Sequence, residues 1–272
     1  MPHTVVDVNA VVERLWPLSG AEAWDAPGLL SGQPTATVSS IHLAVDAVLD
    51  VVDEATAVGA DLLLVHHPLL LRGVTSIAED RYKGAVLARL IRANCALIAA
   101  HTNADVVETG TSAALAERLG LVDSRPITVG ETASRGIGRV GRLAAPTTVG
   151  RLARLLGEIL PATASGIRVA GDYDSRVETV ALCGGAGDSL LSEPAVLGAD
   201  VYITSDLRHH PASESRENSR VAGGPALIDV SHWASEWLWL ETAAAELRVA
   251  LPGVDVTVSD LRTDPWDFTI VQ

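Results

Sequence analysis

Short apolar runs alternate with amphipathic stretches along much of this chain, and the alternation predicts a strand–helix rhythm. Val5, Val8, Val12 and Leu15 recur on one side of a helix over residues 5–16. A Gly- and Pro-rich stretch, Trp24 to Gly32, reads as loop. Strands then follow at Ile41 to Val45, Asp61 to Val65 and Ala96 to Ala100, separated by helices at Asp46 to Val58 and Glu79 to Asn94. A further helix covers Thr111 to Leu119. Such βαβ repetition implies a largely parallel sheet with right-handed crossovers and an α/β fold.

From about Pro126 to Pro225 the texture changes but keeps an α/β rhythm. Strands are expected at Gly136 to Leu143, Gly166 to Ala170, Val177 to Cys183 and Val201 to Thr204, with a Thr-capped helix from Thr147 to Leu160. Glu214 to Gly224 reads as polar loop, Ala226 to Val230 as a strand, Trp233 to Val249 as a helix and Val254 to Val258 as a last strand. The expected organisation is a discontinuous domain, residues 1–125 plus 226–272, with a smaller α/β domain inserted at 126–225.

Three His/acid clusters stand where apolar runs end: His66-His67-Pro68, His101 with Asp105, and His232 with Glu236. Functional groups gather at the carboxyl ends of parallel strands. Consecutive histidines in extended chain point to opposite sides, so both serve one site only where the strand breaks, as Pro68 enforces. His232 and Glu236, four apart on a helix, share one face, the spacing used by metal-binding helices. Four imidazoles and two carboxylates exceed the needs of one tetrahedral zinc and suit two divalent cations. His101 is either a ligand or a hydrogen-bonding partner behind one. Each cluster also has a plainer reading: surface histidines at a strand end, an Asp bonding its own turn, an exposed helical pair.

Weaker signals surround these. Asp46 reads best as a helix cap, the alternative being an acid at the same sheet edge that hydrogen-bonds behind a ligand. Gly184 to Asp188 forms a turn that either cradles an anion or answers a tight strand-to-helix connection. His209-His210-Pro211 echoes the first double histidine and otherwise starts a helix. Trp233, Trp237 and Trp239 read as core.

Composition narrows the classes. The 272 residues carry a formal net charge of -14, which argues against a nucleic-acid partner, since phosphate binding needs clustered basic residues. Apolar residues make up 48% and charged residues 20%, as in ordinary globular α/β proteins. Cys95 and Cys183 lie in apolar surroundings without knuckle spacing and read as buried free thiols. No apolar stretch suits a bilayer span and the N-terminal helix is no signal sequence, so a cytoplasmic location is expected.

Taken together, the residues resemble the dinuclear-metal-centre hexameric proteins named after Ngg-one-interacting factor three, some of which carry the name GTP cyclohydrolase I type 2. The resemblance runs nearly end to end. It covers Trp24-Asp25 with Gly28-Leu29 and Gly32, Val45-Asp46, Gly59-Ala60-Asp61, His66-His67-Pro68, His101-Thr102-Asn103 with Asp105, Gly184 to Asp188, Thr204 to His210, and His232 with Glu236. It departs at Ala26-Pro27, where the Trp-Asp motif usually continues with Asn, and at Ser205, where Gly is common. The resemblance implies a toroidal homo-hexamer, a trimer of dimers, with two divalent ions per subunit. It assigns the ligands to His66, His67, Asp105, His232 and Glu236, with Glu236 bridging. A metal-dependent hydrolase acting on a small-molecule substrate is then expected, with His101 a candidate for positioning or proton transfer. The alternative is a metal-binding, scaffold or regulatory hexamer without turnover.

Overall fold

The computed structural model describes residues 2–271. It is a mixed α/β structure that divides into two compact units, Met1–Ala104 with Leu240–Thr263, and Asp105–Trp239 with Asp264–Gln272. The boundaries therefore fall elsewhere than at 125/126 and 225/226. Strand pairing explains this: Leu121–Arg125 pairs with Arg139–Thr148, and Ala226–Val230 lies between Val201–Ser205 and Arg168–Ala170 in one sheet.

The first unit is built on a five-stranded sheet in the order Asp255–Val258, Ser40–Ala44, Leu62–Val65, Ala96–Ala99, Gly28–Ser31. All pairings are parallel except the last, where Gly28–Ser31 runs antiparallel to Ala96–Ala99. Every residue of Leu62–Val65 and Ala96–Ala99 is buried, which is why these strands are continuous apolar runs rather than alternations. Leu63, Val65, Leu97 and Ala99 share a core with Val51 and Val52 of the helix Leu49–Ala57 and with Val86 and Leu90 of the helix Tyr82–Arg92. Each such side chain stabilises the fold by roughly 1.5–3 kcal/mol on burial.

Two expectations here are corrected. The Trp24 to Gly32 stretch contains the edge strand Gly28–Ser31. The helix expected from Asp46 begins at Leu49 with Val48 at its N-cap, so Asp46 is not the cap. At the N-terminus, Thr4 and Asp7 form a capping box on the helix Val5–Leu15, satisfying two otherwise orphaned amides.

The second unit carries a six-stranded mixed sheet in the order Arg168–Ala170, Ala226–Val230, Val201–Ser205, Arg176–Ala186, Arg139–Thr148, Leu121–Arg125. Its core joins Val140, Ala181, Tyr202 and Leu227 from four strands to Val196 and Leu190. Gly138, with φ +65°, separates the short strand Gly136–Ile137 from Arg139–Thr148, so one expected strand becomes two. Thr148 caps the helix Val149–Ile159, its side chain accepting from the Arg151 amide. The expected polar loop at Glu214 to Gly224 is instead most of the helix His209–Ala222. No residue of that helix is buried, so it has no apolar stripe to betray it. The division between units falls within the last long helix, His232–Ala250. Cys95 and Cys183 are free and buried. Among the described residues no helix is long and apolar enough to cross a membrane.

Candidate metal centre

In the first unit, backbone pairing carries past the formal strand end: the amides of His66 and His67 donate to the carbonyls of Ala44 and Val45 at 3.1 and 2.9 Å. Both histidines are thus held at the sheet's carboxyl edge, where His101 also emerges from Ala96–Ala99. The three rings form a triangle, with centroids 5.0 Å apart for His66 and His67, 5.1 Å for His66 and His101, and 5.4 Å for His67 and His101. One ring nitrogen from each lies within 4.8 Å of the other two, a group able to hold a metal ion.

What fixes each ring is its other nitrogen. His66, fully buried, bonds through Nδ1 to the Ala100 carbonyl at 2.8 Å. His67 bonds through Nδ1 to Asp46 Oδ1 at 2.7 Å, and the second Asp46 oxygen accepts from the Thr263 hydroxyl. His101 bonds through Nδ1 to Asp25 Oδ1 at 2.8 Å. A carbonyl or an ionised carboxylate only accepts, so in all three rings Nδ1 is the donor.

Asp25 is itself tightly held. Its Oδ1 also accepts from the Ala26 amide at 2.7 Å, and its Oδ2 accepts from the Thr102 amide at 3.0 Å and from the Thr102 hydroxyl. Enclosure opposes ionisation, but the bonds from His101 and Thr102 outweigh it and hold this carboxyl well below the usual range. Asn103 completes the brace, accepting from the His101 amide at 2.9 Å and donating to the Trp16 carbonyl at 2.7 Å. The ring of Trp24, 60% exposed, meets His101 edge-on at 5.8 Å.

In the second unit, His232 and Glu236 occupy the first turns of their helix and are joined Nε2 to Oε1 at 2.9 Å. His232 Nδ1 meets Asp206 Oδ2 at 2.8 Å. Burial disfavours the charged ring, yet Glu236 and Asp206 prevail and raise its pKa well above that of a free imidazole. Gly185, with φ +71°, lies directly against this pair. A β-carbon there would stand 2.4 Å from Glu236 Oε1 and 3.3 Å from His232 Nε2. The Gly184 to Asp188 turn therefore makes room for a carboxylate, and its amides at Gly184 and Gly185 donate to Ser112 and Ser235 at 3.1 and 2.9 Å.

Asp105 accepts from the Thr111 hydroxyl. Arg139, buried, donates to the carbonyls of Val107, Gly136 and Gly138 at 2.7, 2.8 and 2.7 Å, bracing the turn that follows Asp105. Burial lowers the pKa of this guanidinium, against the charges of Glu108 and Asp105. His209 and His210 meet each other edge-on at 5.2 Å on an exposed first turn, the plainer of the two readings for that pair.

Sequence reasoning missed most of the residues behind the donors. Asp25 is visible only as half of a Trp-Asp pair, Asp206 follows a buried strand with no signal of its own, and Asp46, one of whose readings is a partner at this sheet edge, reads more readily as a cap. The spacing of Asp46 and His67, each just past a neighbouring parallel strand, was the signal that would have joined those two.

The fold and the side-chain groups define an α/β protein with His/Glu clusters able to bind a metal. The chain belongs to the family Duf34/NIF3 (NGG1p interacting factor 3), whose profile matches residues 3–265. A Streptomyces coelicolor protein named GTP cyclohydrolase 1 type 2 homolog is 47% identical over 267 residues, 96% of this chain and 92% of the relative. One of the same name from Clostridium perfringens is 32% identical over 268 residues, covering 96% and 98%. Among solved structures, a hypothetical protein of Staphylococcus aureus superposes with a TM-score of 0.88 at 26% identity, over 99% of this chain and 100% of that one. A Bacillus cereus protein related to NIF3 superposes with a TM-score of 0.85 at 21% identity, over 99% and 100%, and attests the fold.

Proposed function

We propose that the protein is a hydrolase dependent on two divalent ions, drawing its ligands from His66, His67, Asp105, His232 and Glu236, with Glu236 touching both ions. The observation that carries this is the imidazole triangle, in which one ring nitrogen from each of His66, His67 and His101 lies within 4.8 Å of the other two. The residue Gly185 supports it from the second unit, since its missing side chain leaves Glu236 the space of a ligand. When bound, two such ions activate water and withdraw charge from a reacting phosphoryl or carbonyl group.

The chain's own residues supply orientation. Asp46 holds His67, Asp206 holds His232 and Thr111 holds Asp105, each by one hydrogen bond. Such partners of metal ligands are typically worth about 10–100-fold in affinity or activity. The exposed face of Trp24 beside His101 suits a substrate with a planar ring. The relatives' name, GTP cyclohydrolase 1 type 2 homolog, makes purine nucleotides one branch of the substrate search and phosphodiesters the other. A closed cytoplasmic hexamer is part of the same proposal.

The test combines elemental analysis, light scattering coupled to gel filtration, and turnover on a phosphodiester and nucleotide panel before and after chelation. Two ions per chain, six chains per particle and chelator-sensitive turnover are expected. Two ions with no turnover on any substrate would leave a metal-binding scaffold instead.

A further inference from the structure

The second unit holds a cavity of about 300 Å³, none of whose lining residues belongs to the proposed ligand set. Its walls are the C-terminal end of the helix Val149–Ile159, the loop that follows, and the start of the helix His232–Ala250. Leu160, Pro161, Ile167 and Ala234 line it together with the hydroxyl residues Thr163 and Ser231, and no charged residue is among the lining. At about 100° per residue, Ala234 stands two places from both His232 and Glu236 and so on the opposite side of their helix. The volume lies at the lower end of the range for small-molecule sites.

Gly157 also lines this cavity, two residues before the end of its helix. Glycine inside a helix is destabilising relative to alanine, so a steric or backbone need usually keeps it there. Gly166, across the loop, has such a need in its φ of +62°, whereas Gly157 is helical. Nor is Gly157 crowded. Outside its own helix a β-carbon there would meet only Ile167 Cδ1, at 3.8 Å, an ordinary contact. A larger side chain would instead take up space that the cavity now has.

The polar side of the cavity offers acceptors. Ser231, buried, donates its hydroxyl hydrogen to Asp264 Oδ1 at 2.6 Å and accepts from the Ala234 amide at 3.3 Å, which leaves its oxygen a further lone pair. The second Asp264 oxygen, Oδ2, is enclosed and has no hydrogen-bond partner among the described residues. An enclosed acceptor in that state is rare in folded proteins and calls for a donor. The last turn of Val149–Ile159 adds backbone carbonyls that have no partner within the helix. Acceptors backed by a carboxylate favour a ligand that donates and repel an anion.

We propose that this cavity is a second small-molecule site, for a neutral compound of one or two rings with an N–H or O–H donor directed at Ser231, and that Gly157 keeps its space open. The inference is independent of the metal reading.

Indole is the probe, benzofuran its match in shape with an acceptor in place of the N–H, and indole-2-carboxylate its anionic counterpart. Each is titrated into wild type by calorimetry and by ligand-observed NMR, before and after treatment with chelator. One indole per chain is expected, with a Kd of about 1 mM or tighter, unchanged by chelation. Benzofuran should bind roughly 5–100-fold more weakly, the loss of one enclosed hydrogen bond, and the carboxylate should not compete. Gly157→Leu should weaken indole binding by about tenfold or more while holding or raising the melting temperature, since leucine is the better helix former. Gly157→Ala serves if the leucine variant does not fold. Ser231→Ala should narrow the gap between indole and benzofuran.

Absence of saturable indole binding would overturn the site, and so would full binding by Gly157→Leu, which would put the indole elsewhere. Equal affinity for benzofuran or for the carboxylate would overturn the ligand class. Loss of binding on chelation would overturn the independence from metal. Trp266, 63% exposed, follows Asp264 by two residues. If Trp266→Ala tightens indole binding, the chain's own segment 265–271 competes for the cavity and the ligand reading fails. Indole bound by a wild type that takes up no metal would sink the metal centre and leave this site standing.

Discussion

A β-carbon on Gly185 would stand 2.4 Å from Glu236 Oε1, closer than any real side chain allows. The strand Arg176–Ala186 thus has a glycine as its penultimate residue because a carboxylate occupies the space where a side chain would be. With φ at +71°, the backbone here also lies in the left-handed region.

Gly185→Ala should therefore cost about 1–3 kcal/mol from backbone strain and overpacking together. It should also displace Glu236 and lower metal content more than that loss of stability explains. Urea denaturation with and without chelator separates the effects. An alanine variant with wild-type stability and metal would contradict the crowding.

Asp46→Ala should weaken metal binding about 10–100-fold, because His67 loses the partner that orients its ring. Glu236→Ala, which removes a proposed ligand, should deplete metal further. Equilibrium dialysis of the two variants side by side decides this. Equal depletion would mean that Glu236 is no ligand.

Burial pushes the thiols of Cys95 and Cys183 up to about 11 and about 12. Alkylation by iodoacetamide at pH 8 should therefore be slow in the native protein and fast in denaturant, as mass spectrometry would read. In the unfolded chain a thiol ionises near 8.5. Above that pH the unfolded state binds fewer protons than the native one, so stability falls as pH rises. The slope is roughly 1.4 kcal/mol per pH unit for each thiol until the native group ionises. Alanine at both positions should flatten the decline in denaturation curves between pH 8.5 and 10.5, a range that lies inside this window. An unchanged slope would disprove the linkage.

Asp61 sits before the strand Leu62–Val65 and accepts from Ser39 and Ser40, amides and hydroxyls both, at 2.6–3.1 Å. Partial burial opposes ionisation, but the serine bonds prevail and lower its pKa. Its contribution is present above the unfolded carboxylate pKa near 3.9 and is lost as pH falls through the native value. Asp61→Asn should thus be destabilising at pH 7 and much less so at pH 3. A gap between wild type and variant that stays constant from pH 7 to 3 would contradict it.

The parallel sheet of the first unit was legible because Leu62–Val65 and Ala96–Ala99 are buried on both faces and so are unbroken apolar runs. The histidines were legible because they interrupt those runs at the carboxyl edge. Other features left no such trace. Gly28–Ser31 is an antiparallel edge strand whose Gly28, with the flanking Pro27 and Gly32, reads as loop. The unit boundary was misplaced because Leu121–Arg125, largely exposed, carries little apolar signal, and its pairing with Arg139–Thr148 is long-range. Asp25 reaches His101 across 76 residues and Asp46 reaches Thr263 across 217, distances over which spacing alone says nothing.

The helix His209–Ala222 spans 14 residues without one buried side chain. Its inner side packs Ala212 against the second unit's core, and its outward positions meet solvent. It is also a place to attach a reporter. With both native thiols enclosed, Val221→Cys, at a position 89% exposed, would give a single reactive handle for a fluorophore or spin label. Metal loading and assembly could then be followed without touching a residue proposed to hold an ion.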